Sequence, residues 1–98
     1  KPTSQNITQT SQRTAMKPIQ IKTLAELIRA TEDRKPHHFL IQLKYELTSR
    51  KTIRRSGGVF YVHNHIDDTD QELTTDEIME DSLTNIGKAM KKGAFWMV

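Results

Sequence analysis

The sequence predicts an α+β domain: an antiparallel sheet of three to four strands, arranged as a meander, with three short helices packed mainly on one face. Three observations carry this expectation. Two runs of alternating apolar and polar residues flank a shorter basic run and a Gly-Gly turn between His37 and Asp68. Two Thr-x-x-Glu capping boxes mark helix starts. The 98 residues, 35% of them hydrophobic, suffice for one modest core and leave no room for a second domain.

Residues 1 to 17 are rich in Thr, Ser, Gln and Asn and hold a single Ile7 without periodicity. Such a composition buries too little to offset ordering entropy, so a disordered N-terminal tail is expected, followed by one domain over residues 18 to 98. Thr23-Leu24-Ala25-Glu26 opens the first helix. Leu24, Leu27, Ile28 and Thr31 then fall on one stripe, while Glu26, Arg29 and Glu32 face water. Pro36 sets the limit of that helix, because the residue before a proline is driven out of the helical region.

In the first strand Phe39, Ile41, Leu43 and Tyr45 alternate toward the core, with His38, Leu40, Gln42 and Lys44 on the other side. Residues 51 to 55 form a short basic strand, and Ser56-Gly57-Gly58 supplies the positive-φ residues of a tight hairpin. Phe60, Val62 and Ile66 are then expected inward, and Tyr61, His63 and His65 outward. Asp67 to Asp70 reads as an acidic turn. Thr74 to Glu77 caps a second helix, with Leu73 and Ile78 as a hydrophobic staple. A third helix is expected from Leu83 to Lys92 with Leu83, Ile86 and Met90 inward and Gly93 as its stop. Residues 94 to 98, AFWMV, are apolar enough for a fourth strand at a sheet edge or against the first helix.

The net charge of +3 conceals a segregation. Residues 1 to 66 hold twelve Lys and Arg against four acids, and residues 67 to 81 hold eight acids and no base. Charge asymmetry of this kind bears on partners rather than on fold. There is no cysteine, hence no disulfide framework or thiolate site, which suits a reducing compartment and makes the cytoplasm the expected location. No apolar run approaches the roughly 20 residues that span a bilayer, and the first residues lack the apolar core of a secretory signal. No membrane association is expected.

The outward residues of the basic hairpin are the main functional candidates. Arg50 and Arg54 fall beside Tyr61, His63 and His65, with Lys44 and His38 extending the surface on the first strand and Lys51 and Arg55 completing the basic run. Cations interleaved with an aromatic on an open sheet face suit a protein or nucleoprotein partner, and also a nucleic-acid backbone directly. Basic residues on a strand equally serve to discourage edge-to-edge aggregation.

His63 or His65 could serve as general acid and base of a small metal-independent nuclease, with Arg50, Lys51 or Arg54 holding phosphate. His63, His65 and Asp67 also alternate as metal-ligand types, and Asp68, Asp70 and Glu72 as calcium-ligand types. Two-histidine spacing specifies a site loosely, and the glycine and final glutamate of an EF-hand loop are missing. Neither a metal nor any other cofactor is expected, and the leading expectation is a non-catalytic binding module rather than an enzyme.

The runs RKPHHFLIQLKYELTSRKTIR, FYVHNHIDDTDQELT and TNIGKAMKKGAF, across residues 34 to 95, resemble short uncharacterised proteins carried by bacterial phages and plasmids. The resemblance implies a mobile-element origin, which favours small binders acting on a host or viral machine over metabolic enzymes. It implies no activity for any residue.

Overall fold

A computed structural model describes residues 17–98. The expected disordered tail, residues 1 to 17, lies outside the described residues except for Lys17. The described chain runs β1 (Ile19–Gln20), α1 (Leu24–Ala30), β2 (His37–Ile41), β3 (Ser49–Ser56), β4 (Val59–Asn64), β5 (Thr69–Thr74), α2 (Thr75–Glu80), α3 (Ile86–Lys91) and β6 (Phe95–Met97). The α+β class is as expected, but the sheet has six strands rather than three or four, in the order β1-β6-β2-β3-β4-β5.

Local chemistry sets the helix ends. The Thr23 hydroxyl accepts from the Glu26 amide, and a Glu26 carboxylate oxygen accepts from the amides of Thr23 and Lys22. Thr74 and Glu77 repeat the reciprocal pair at α2, with Leu73 and Ile78 both buried across it as the staple requires. Helix α1 stops at Ala30, ahead of Pro36, where buried Thr31 turns its hydroxyl back onto the Leu27 carbonyl. Gly93, at φ +67°, ends α3 with Gly93 and Ala94 amides donating back to Met90 and Ala89. This paired closure turns the chain directly into β6.

Every strand pair is antiparallel. The β3–β4 hairpin turns through Gly57 and Gly58, both at positive φ, as its two-residue loop demands. Strand β6 lies inside the sheet, pairing with β1 on one side and β2 on the other, and not at an edge. Its Phe95 stacks on Phe39 with ring centroids 5.0 Å apart. Strand β5, where an acidic turn was expected, begins at Thr69 and forms one edge. The other edge, β1, has two residues. A charged edge and a very short one are both ways of leaving little for another sheet to pair with.

The core fills one side of the sheet. Leu27 of α1, Ile78 of α2, and Ile86 and Ala89 of α3 are fully buried with Phe39, Ile53, Phe60 and Phe95. Gly87 lets α3 approach α2 so closely that a Cβ there would overlap the Met79 backbone carbonyl. Leu83, expected inward, is exposed, because α3 begins only at Ile86. Ile66 is exposed as well, since β4 ends at Asn64 and the chain turns. Among the described residues no helix is long and apolar enough to cross a membrane.

Candidate functional site

Strand alternation decides which side chains reach the face opposite the helices. On β3 the odd positions Lys51 and Ile53 are buried and the even positions Arg50, Thr52 and Arg54 look outward. On β4 Phe60, Val62 and Asn64 are buried, leaving Tyr61 and His63 outward. The register then sets His38, Thr52, His63 and Asp70 in one cross-strand row, and Arg54, Tyr61 and Glu72 in the next. A further row joins Trp96, Leu40 and Arg50.

Two arrangements stand out on this face. The Arg54 guanidinium lies over the Tyr61 ring at 4.3 Å from its centroid, which presents a charged plane already seated on an aromatic one. Beside it is a histidine cluster. The Thr52 hydroxyl lies 2.6 Å from His65 Nε2 and 3.2 Å from His38 Nδ1, and the His63 and His65 rings meet edge to face at 4.7 Å. His63 Nδ1 is 2.8 Å from an Asp70 oxygen and its Nε2 is 3.1 Å from Asp68. These carboxylates, Asp70 first, hold the His63 imidazole above its ordinary value by favouring the charged form.

The predicted site residues therefore divide. Arg50, Arg54, Tyr61 and His63 share the outer face as expected, and His65 follows at its rim, its amide bonded to the Arg50 carbonyl. Lys51 does not join them: it is 5% exposed on the helix side of the sheet. Arg55 also occupies an inner position, its guanidinium 5.9 Å from the centroid of the buried Phe60 ring. Lys44 is exposed in the β2–β3 loop, its ammonium 5.2 Å from the Tyr45 ring centroid, because β2 ends at Ile41 and Tyr45 turns at φ +66°.

Sequence reading also missed part of the face. Asp70 and Glu72 lie on it because Asp70 pairs with His63 and Glu72 with Tyr61, so the acids are not segregated from the arginines. Thr52 lies between His38, its partner in the β2–β3 register, and His65, which the turn after β4 brings over it.

Both ring nitrogens of His63 face carboxylates, and Nε2 of His65 faces the Thr52 hydroxyl. Among the described residues no three His, Cys, Asp or Glu side chains are arranged to hold a metal ion. No family model, curated protein or solved structure matches the chain.

Proposed function

We propose that this chain is a non-catalytic binding module that docks on a protein or nucleoprotein partner through the helix-free face of its sheet. The observation that supports this reading is the Arg54–Tyr61 stack, set between exposed Arg50 and the acidic Glu72. Arginine and tyrosine are the side chains most used as interface anchors, and a stacked guanidinium is already ordered before a partner arrives. Glu72 is two strands from Arg54, about 10 Å, close to the ~8 Å screening length at physiological salt. A phosphate seated on Arg54 would still feel that carboxylate. Mixed signs at this spacing suit the mixed charge of a protein surface better than a uniform line of phosphates. The resemblance to phage and plasmid proteins agrees with a small cytoplasmic binder of host or viral machinery.

The test is affinity capture with wild-type protein, the Arg50→Glu/Arg54→Glu double variant and Tyr61→Ala. A partner retained by wild type and lost by both variants is the expected result. One retained equally by all three overturns the choice of face.

Direct nucleic-acid binding is the second reading, favoured by Arg50, which makes no ion pair among the described residues. It requires affinity for labelled oligonucleotides that falls as salt rises, with a log–log slope of about −2 if two arginines each displace a counterion. Fluorescence anisotropy without salt-sensitive binding at low ionic strength removes it.

A further inference from the structure

On the helix side, at the end of the sheet where β3 begins and β4 ends, a cleft of about 400 Å³ opens beneath the α2–α3 connection. That volume lies in the range of small-molecule sites. Its polar groups are unusual. Lys51 is 5% exposed, yet its ammonium makes no ion pair among the described residues. Burial lowers its affinity for a proton, while Asp67 and Asp81, too distant to pair, partly restore it. Asn64 donates its Nδ2 to Thr69 and Gln71 but leaves its buried Oδ1 without a partner, and the Ser49 hydroxyl is likewise buried and unpaired. Buried polar atoms in native proteins are nearly always satisfied, so two unpartnered atoms beside an unpaired lysine ammonium set this cleft apart from the rest of the core.

The mouth is apolar. Leu47, Ile66 and Leu83 are 89%, 68% and 76% exposed, and all three line this cleft although they come from three separate connections. Large exposed apolar side chains converging from distant segments mark a contact surface rather than scattered surface residues. Two acids complete the lining. Glu46 is met by Lys88 at 4.0 Å, whereas Asp67 has one oxygen engaged by the Thr69 hydroxyl at 2.7 Å and makes no ion pair among the described residues.

We propose that this cleft binds an α-amino acid with an apolar side chain. The ligand carboxylate pairs with Lys51, its ammonium with Asp67, and its side chain lies against Leu47, Ile66 and Leu83. A plain carboxylate would be opposed by Asp67 and a plain amine by Lys51. Only a molecule carrying both charges next to an apolar group answers the whole lining. The cleft lies on the opposite side of the sheet from Arg54 and Tyr61, so this proposal and the docking reading stand or fall separately.

Two-dimensional amide NMR of the full chain, titrated with L-leucine, tests it. Saturable shifts at residues 49 to 51, 64 to 67 and 83 to 85 are expected. Isocaproate lacks the ammonium, isoamylamine lacks the carboxylate and glycine lacks the side chain, and each should bind at least about tenfold more weakly. Lys51→Met should keep a folded spectrum and lose the saturable response. Leu83→Ser, at an exposed position that leaves the core intact, should weaken leucine about tenfold whether or not the Lys51 variant folds. The proposal is overturned if leucine, methionine and phenylalanine all fail to give saturable shifts, if folded Lys51→Met binds as wild type does, or if isocaproate binds as tightly as leucine.

Discussion

The guanidinium of Arg54 rests 4.3 Å from the centre of the Tyr61 ring, directly across the β3–β4 ladder. Both residues occupy the face without helices, so their interaction is partly hydrated and its contribution to stability is small. A double-mutant cycle with Arg54→Met and Tyr61→Leu should give a coupling of about 0.5–1 kcal/mol in urea unfolding. Its role in recognition predicts more: either single variant should weaken partner capture by a larger factor than it weakens the fold. Equal losses in both measurements would reduce the pair to a structural contact.

His63 makes stability depend on pH with a definite sign. Asp70 and Asp68 raise its folded pKa above the ordinary 6.5, so the folded state holds the proton more tightly than the unfolded chain does. The resulting stabilisation is fully present below 6.5 and is lost as pH rises through the folded value. The comparison with His63→Gln isolates the contribution of His63. The urea midpoint of wild type should fall across this window by more than that of the variant. Parallel profiles would show that the two carboxylates do not act on His63 in solution.

The second capping box offers a purely local test. Thr74 accepts the Glu77 amide at 3.2 Å while the Glu77 carboxylate accepts the Thr74 amide at 2.9 Å. Because α2 has six residues, its own propensity is weak and its ends matter. Thr74→Ala should cost about 1 kcal/mol by chemical denaturation, and Thr74→Ser should recover most of it. A neutral Thr74→Ala would mean that the Leu73–Ile78 staple alone holds this corner.

What the sequence made legible was what neighbours along the chain decide. Both capping boxes, the Gly57-Gly58 turn and the Gly93 stop rest on residues within a few positions of one another, and each is found where its pattern lies. The interior position of β6 depends on Phe95 and Met97 pairing with Ile41 and Phe39, more than fifty residues back, and no local pattern encodes that choice. Strand β5 was hidden for a different reason. Thr69-Asp-Gln-Glu-Leu-Thr shows one core residue, Leu73, among polar ones, because an edge strand with one open face has little to bury.

The same distinction governs the candidate site. Period-two alternation was enough to turn Arg50, Arg54 and Tyr61 outward together. Applied strictly, it also excludes Lys51 and Arg55, whose odd positions share the core side with Ile53. Their charge, rather than their position, had drawn them into the basic surface. The presence of Asp70 and Glu72 on this face required knowing that β5 exists, so the cationic surface looked more uniform in sequence than it is.

Gly87 and Gly58 separate two reasons for a glycine. At Gly87 an added Cβ would run into the backbone carbonyl of Met79, and backbone cannot swing aside as a flexible side chain can. Gly58 has open space around it but sits at φ +80°, where any L side chain is strained. Gly58→Ala should therefore cost about 1 kcal/mol and leave the packing of the helices untouched. Gly87→Ala forces α2 and α3 apart over the fully buried Ile78 and Ile86, with a cost of about 1–3 kcal/mol from overpacking. Thermal unfolding gives the order, and amide exchange gives the mechanism: protection should fall across both helices in the Gly87 variant and only at the hairpin in the Gly58 variant. A Gly87→Ala protein as stable as wild type would mean that α2 and α3 do not approach so closely, and that the core beneath them is looser than described.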